Sequence, residues 1–270
     1  SIENFNSMGI FEIIFTLNKY IKMLKYLAVK IINNKYDLII TIDSPDFNYP
    51  LIKKLRKLNY NSKIIHIVAP TVWAWREYRA KKFSKVFDEL LILFEFEKKY
   101  FDKYYLKTTF IGHPIFYINS NKNIQSKKNY IAFLPGSRLS ELNSLLKYFN
   151  LAYLYLIKNN IDLNIFIPTL PHTEDIIINY TKSWKINTIV TSDKIKIEEY
   201  YSKTKKALVC SGTASLEISK RNIPQLVIYK LNFFTEIIVN LFIKIKYVNI
   251  IKIIENKIII PELVNSKLNT

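Results

Sequence analysis

The sequence is short of glycine, with four residues in 270, of histidine, with three, and of cysteine, with one. The lone Cys210 excludes an internal disulfide framework. His66, His113 and His172 stand far apart in the chain, which argues against a Cys/His metal cluster with it, and a reducing cytoplasm fits. Long apolar runs are missing too. The most apolar stretch, Leu231 to Ile245, is broken by Asn232, Glu236, Asn240 and Lys244 and is shorter than the ~20 residues of a spanning helix. The chain opens on Ser1 without a charged n-region and an apolar h-region, which reads as the absence of a secretory signal. What is present describes a globular protein: 49% apolar and 23% charged residues, enough chain for two ordinary domains or one large one. The formal charge of +18 suits an anionic partner, but the lysines are spread so evenly that charge alone selects neither lipid nor nucleic acid.

Short β-branched runs alternate with longer helical patterns, at 37–42, 63–68, 89–94 and 108–111, then at 130–134, 163–167, 187–190, 207–210 and 225–229. Strands alternating with helices predict an α/β fold of βαβ units and parallel sheets. The polar stretch Asn119 to Lys128 has no apolar periodicity and reads as a linker between an N-terminal domain at 1–118 and a C-terminal domain at 129–270. The first domain starts with a helix around Phe11 to Ile32 and its first clear strand is at Leu38, so it lacks the strand that opens a doubly wound domain and reads as incomplete. After Pro261 only a short polar tail is expected.

With so few glycines, each marks a place where a side chain does not fit. Gly136 lies in Leu134-Pro135-Gly136-Ser137-Arg138, a strand end before a helix, which is where ligands bind in open α/β sheets. Arg138 adds a guanidinium fork suited to phosphate, in a chain that prefers lysine to arginine by 35 to 5. The plain alternative is a tight turn with an exposed arginine. Gly212 lies in Ser211-Gly212-Thr213-Ala214-Ser215-Leu216-Glu217, again a strand, a turn of small residues and a helix start. Its free amides and the hydroxyls of Ser211, Thr213 and Ser215 form a candidate anion site. Glu217 is placed either to meet ribose hydroxyls or to act as a favourable acid in the first helical turn.

In the first domain, Asp43-Ser44-Pro45-Asp46-Phe47-Asn48 follows a buried-type strand and offers two carboxylates and an amide. Either carboxylate serves as a general base or caps the next helix, which Pro50 helps to start. Pro70-Thr71-Val72-Trp73-Ala74-Trp75-Arg76 gathers aromatic faces for a sugar or acyl chain beside an arginine for phosphate. A packed aromatic loop is the alternative there. His113, in Gly112-His113-Pro114, ends the last strand of this domain.

Taken together, in this order and spacing, these segments resemble the lipid-A-disaccharide synthases across nearly the whole chain, apparently truncated at both ends. The resemblance implies two Rossmann-like doubly wound domains facing across a cleft, the glycosyltransferase B architecture, with UDP held by the second domain and the acceptor by the first. It implies inverting transfer from UDP-2,3-diacylglucosamine to 2,3-diacylglucosamine 1-phosphate, without a metal, at the cytoplasmic side of the inner membrane, with an anionic membrane surface and no nucleic acid as partner. Asp46 matches the family's proposed base and Arg138 a residue important near the donor. Asp43, Asn48, Trp73, Arg76, His113, Gly136, Ser137, Ser211, Gly212, Thr213, Ser215 and Glu217 are the matching substrate- and UDP-binding candidates. Lys252 replaces a family asparagine. Two other readings remain at this stage: a catalytically inactive remnant that keeps UDP or membrane binding, and a sugar-nucleotide epimerase on the same architecture.

Overall fold

The computed structural model describes residues 10–73, 76–117, 129–210, 212–230 and 259–264. By its contacts the described chain divides into two compact units that part between Pro114 and Ile115. The expected linker at 119–128 lies outside the described residues.

The first unit runs α1 (Ile10–Asn34), β1 (Leu38–Ile42), α2 (Pro45–Lys57), β2 (Lys63–Ile67), α3 (Tyr78–Phe83), β3 (Glu89–Ile92), α4 (Lys98–Asp102) and β4 (Lys107–Phe110). Its four strands are parallel and lie in chain order, β1-β2-β3-β4. Right-handed crossovers that step in one direction return every helix to the same face of the sheet. Accordingly one core gathers Leu24 and Ala28 of α1, Leu51, Ile52 and Leu55 of α2, Phe83 of α3 and Phe101 of α4 over Ile64, Leu90 and Ile92 of the strands. On the alternate positions of β1, Leu38, Ile40 and Ile42 are 46%, 53% and 64% exposed.

Arg56 ties this unit together by structure alone. Its guanidinium donates to the carbonyls of Val86, Tyr60 and Ser62 and to Asp88 Oδ2 at 2.7 Å. One of the five arginines is thereby accounted for without any ligand.

The second unit contains β5 (Tyr130–Leu134), α5 (Leu139–Lys158), β6 (Asn164–Pro168), α6 (Pro171–Thr181), β7 (Thr188–Thr191), α7 (Lys194–Ser202), β8 (Thr204–Cys210), α8 (Thr213–Lys220), β9 (Gln225–Tyr229) and β10 (Glu262–Val264). The parallel sheet has the order β10-β9-β8-β5-β6-β7, so the chain steps outward from β5 and then reverses to build the other half from β8. Reversal puts helices on both faces. Phe133, Ile165 and Ile167 point into a core with α5 and α6, while their neighbours Ala132, Leu134 and Phe166 point into a second core with Tyr201 of α7 and Ile218 of α8. Strands buried on both sides read as unbroken apolar runs, as Tyr130-Ile131-Ala132-Phe133-Leu134 does. The short β10, which pairs Leu263 with Ile228, precedes the polar tail read at 265–270 and was not among the expected strands. Among the described residues no helix is long and apolar enough to cross a membrane.

Candidate active site

In the first unit the chain leaves β1 through Asp43 and Ser44, both in the left-handed region with φ of 51° and 45°. Asp tolerates this conformation better than most residues with a side chain. Asn48 fixes the turn: its buried amide donates to the Asp43 carbonyl at 2.6 Å and to the Ile42 carbonyl at 3.4 Å. This residue, expected to face substrate, directs its amide into the loop instead.

The helix begins with Ser44 as N-cap and Pro45 in the first turn, and no side chain caps it. Neither Asp43 nor Asp46 is therefore used as a cap. Pro50, expected at the helix start, sits inside α2. A proline there cannot donate to the carbonyl four residues back, which is that of Asp46. The Tyr20 hydroxyl supplies the missing donor at 2.6 Å, and the Tyr20 ring packs edge-on against Phe47. The base candidate thus sits on a turn secured from three directions while its carboxylate remains 77% exposed. One of its oxygens, Oδ1, forms an ion pair with Arg79 of α3. Between the starts of α2 and α3 lies a cavity of about 130 Å³, lined by Asp46, Tyr49, Tyr78, Arg79 and Lys82 among others.

Beyond β2, Trp73 meets Phe96 edge-on at 5.9 Å; Phe94 stacks on Phe96 at 5.9 Å and on His113 at 5.6 Å. Two segments 40 residues apart in the sequence, those of Trp73 and His113, are joined in this way through Phe94 and Phe96. Under them Glu97 is 4% exposed and accepts the Phe94 backbone N–H at 3.1 Å, with the Trp73 indole near enough to favour its charged form. Burial pushes its carboxyl up to about 7. Burial also lowers the His113 imidazole below its ordinary value. Phe94, Phe96 and Glu97 were not singled out in the sequence, although an acid set among aromatics at a strand end is a visible signal. Arg76 follows the same loop, and Trp75 lies outside the described residues.

In the second unit β5 pairs directly with β8, Leu134 opposite Val209, so the turns at Gly136 and Gly212 leave one sheet edge side by side. This is the point where the strand order reverses, the place where open α/β sheets bind ligands. The two glycines differ in what surrounds them. A Cβ on Gly136 would lie 2.4 Å from Glu141 Oε2 and 2.8 Å from Glu141 Cβ. That carboxylate accepts the backbone N–H groups of Ser137 at 3.0 Å and Arg138 at 3.3 Å, and pairs with the Arg138 guanidinium at 3.3 Å. Gly136 is thus required by packing within the turn. Among the described residues a Cβ on Gly212 would meet nothing within 4 Å, and its φ of 130° belongs to glycine alone. No described residue occupies the space over Gly212.

Thr213 is exposed at the start of α8, whereas Ser215, expected to offer its hydroxyl, is buried at 1% exposure. Ser211 lies outside the described residues. Glu217 falls in the second turn of α8, not the first, and pairs with Arg221 at 3.4 Å. Burial raises its carboxyl above the ordinary value. Arg221 also pairs with Glu198 and lies over the Tyr201 ring at 4.4 Å. His172, at the start of α6, donates from Nε2 to the Ser137 carbonyl at 3.2 Å. Cys210 closes β8 beneath the second turn, its thiol pushed up to about 12 by burial.

The family model described as lipid-A-disaccharide synthetase matches residues 1–270. A lipid-A-disaccharide synthase of Rickettsia conorii is 39% identical over 97% of this chain and 60% of its own length. That of Rickettsia prowazekii is 38% identical over 100% of this chain and 73% of its own. The chain therefore spans well under two thirds of the first of these relatives. Among solved structures, a UDP-GlcNAc 2-epimerase of Neisseria meningitidis bound to UDP-GlcNAc aligns with a TM-score of 0.57 at 14% identity, covering 88% of this chain and 71% of that one. The Staphylococcus aureus MnaA–UDP co-structure aligns with a TM-score of 0.55 at 15% identity, covering 88% and 69%. At such identities the likeness is one of fold.

Proposed function

The chain belongs to the lipid-A-disaccharide synthetase family, and on that footing we propose that it serves inverting glycosyl transfer from UDP-2,3-diacylglucosamine to 2,3-diacylglucosamine 1-phosphate. The acceptor's 6-oxygen bonds to the anomeric carbon as the bond from that carbon to the diphosphate breaks. The electron pair leaves with UDP, and the hydroxyl proton passes to a carboxylate. An alcohol is a poor nucleophile at neutral pH, so a base on the acceptor side is required. Asp46 is that base in our reading. It is not a helix cap, and its side chain stays 77% exposed while Arg79 contacts one of its two oxygens.

The observation that carries the donor half is the open space over Gly212 at the switch point of a doubly wound sheet. A diphosphate approaching the amides at the start of α8 needs that space, and any side chain at position 212 fills it. At Gly136 the amides already serve Glu141, so Arg138 is the group of that turn placed to meet the donor from outside, being 72% exposed. Trp73 and His113 form the aromatic wall offered to the sugar or acyl chain of the acceptor. The acylated substrates place the protein at the cytoplasmic surface of the inner membrane, where the charge of +18 favours anionic headgroups. Titrating UDP against the chain and against Gly212→Val tests the donor half. Affinity should fall at least about tenfold in the variant, and equal affinity for both would remove Gly212 from the site.

A further inference from the structure

The cavity between the starts of α2 and α3 holds an arrangement that the transfer reaction does not itself demand. Two cations of α3, Arg79 and Lys82, stand one turn apart on its wall, and the carboxylate of Asp46 stands beside them. Arg79 is only 17% exposed, and its contact to Asp46 uses one terminal nitrogen, whereas a guanidinium carries five N–H donors in a fixed fork. The Lys82 ammonium lies 4.7 Å from the centre of the Tyr78 ring, at the cavity. Two positive groups against one negative leave this small space with a net positive charge. A neutral hydroxyl or sugar ring has no use for it; a phosphate monoester does.

We infer that Arg79 and Lys82 form a subsite for the phosphate monoester of the acceptor, with Arg79 bridging that phosphate and the carboxylate of Asp46. The inference rests on the acceptor half of the proposed function. In a glucosamine 1-phosphate the phosphate is on C1 and the 6-hydroxyl on the exocyclic carbon attached to C5, and C1 and C5 flank the ring oxygen, so both groups lie on one side of the sugar and one small patch of protein can hold both. Asp46 and Arg79 are in direct contact. The same ring geometry then fixes which hydroxyl reaches the base: with the phosphate on Arg79 and Lys82, the 6-oxygen is delivered to Asp46, and the 4-hydroxyl, across the ring from C1, is held away. The subsite therefore sets the linkage as well as the affinity.

The experiment compares binding of 2,3-diacylglucosamine 1-phosphate with that of the same lipid lacking the phosphate, by titration calorimetry in detergent, with inorganic phosphate as a competitor. The parent chain should favour the phosphorylated lipid at least about tenfold, the worth of charge-assisted bonds. Arg79→Gln should abolish that preference, Lys82→Gln should narrow it severalfold, and Asp46→Asn should leave it intact or enlarge it. Lys82 is exposed, so its variant retains the fold and decides the matter if Arg79→Gln does not. Equal affinity of the parent for both lipids, or losses in the variants that fall equally on both, would overturn the subsite. UDP titration of the same samples separates the outcomes: UDP binding with no phosphate preference sinks this inference alone, whereas loss of both UDP and lipid binding sinks the proposed function with it. Displacement by millimolar inorganic phosphate of the phosphorylated lipid but not of its dephosphorylated form would confirm that the phosphate is what the cations hold.

Discussion

Gly136→Ala and Gly212→Ala are the same chemical change on adjacent strand ends, and the surroundings predict different penalties. Both positions lie at positive φ, 108° and 130°, where an L side chain costs about 1–3 kcal/mol. At Gly212 that is the whole cost, because the added methyl meets nothing within 4 Å among the described residues. At Gly136 the methyl would overlap Glu141 Oε2 and Cβ, so Glu141 must withdraw from the amides of Ser137 and Arg138. Each of those bonds contributes about 1 kcal/mol net, which brings the total for Gly136→Ala to about 3–5 kcal/mol. Urea unfolding followed through Trp184 reads the second unit: this indole stacks on Tyr153 at 4.6 Å and donates to Asn150 Oδ1 at 3.1 Å. A companion Glu141→Ala change supplies a double-mutant cycle. It removes the 2.4 Å overlap with Oε2 but keeps the 2.8 Å approach to Cβ, so it should recover part of the loss and not all. If the two alanine variants unfolded within about 0.5 kcal/mol of each other, or the cycle showed no coupling, the reason given for Gly136 would be wrong.

Glu97 and His66 give the first unit opposite responses to pH. Burial raises Glu97 from 4.5 to about 7, so the folded form holds a proton that the unfolded chain releases, and this contribution is lost as pH climbs from about 4.5 through 7. Burial lowers His66 from 6.5 to about 4, so its contribution is lost as pH falls from about 6.5 through 4. The two slopes oppose across pH 4.5 to 6.5. Glu97→Gln should therefore leave stability rising with pH there, by up to about 1.4 kcal/mol per unit, as read from urea midpoints by Trp73 and Trp75 emission in a Trp184→Phe background; a profile no steeper than the parent's would refute this. Tyr20→Phe should destabilise by about 1 kcal/mol through the Asp46 carbonyl that Pro50 leaves without a donor, visible as a lower Tm, and an unchanged Tm would show that water replaces the hydroxyl. In a chain of the relatives' full length, Asp46→Asn should lower kcat by ~10²- to 10⁴-fold with UDP affinity retained; near-normal kcat there, with loss in Asp43→Asn, would make Asp43 the base.

Nine of the ten strands could be read from their β-branched runs, which turns interrupt cleanly, and in the second unit burial on both faces makes those runs continuous. Glu262–Val264 could not: three residues after a proline carry no period, and only pairing with β9 makes them a strand. Among site residues, those at strand ends were legible because the fold places ligand-binding turns there. Their partners were not. Nothing local links Arg79 to Asp46 or Glu97 to Trp73, since these contacts are created by the crossovers that set α3 beside α2 and the β3 end beside the β2 loop. Gly136 and Gly212 looked equivalent in sequence, and only the neighbouring Glu141 separates a glycine needed for packing from one that keeps space open. Ser215 differs from the expectation for a related reason: the third residue of α8 already turns its hydroxyl toward the core.

Strand β1 has a bearing on how the protein behaves in bulk solution. Among the described residues it pairs on one side only, with β2, and its sequence Leu38-Ile39-Ile40-Thr41-Ile42 contains no charge, proline or bulge of the kind that blunts an open edge. Side chains at 46%, 53% and 64% exposure along that strand add an apolar surface to the unpaired backbone. A formal charge of +18 on each molecule opposes the approach of two such edges, over a distance of about 10 Å at 0.1 M salt. Screening that charge with salt removes the opposition, so light scattering by this chain should rise with ionic strength if the β1 surface drives association.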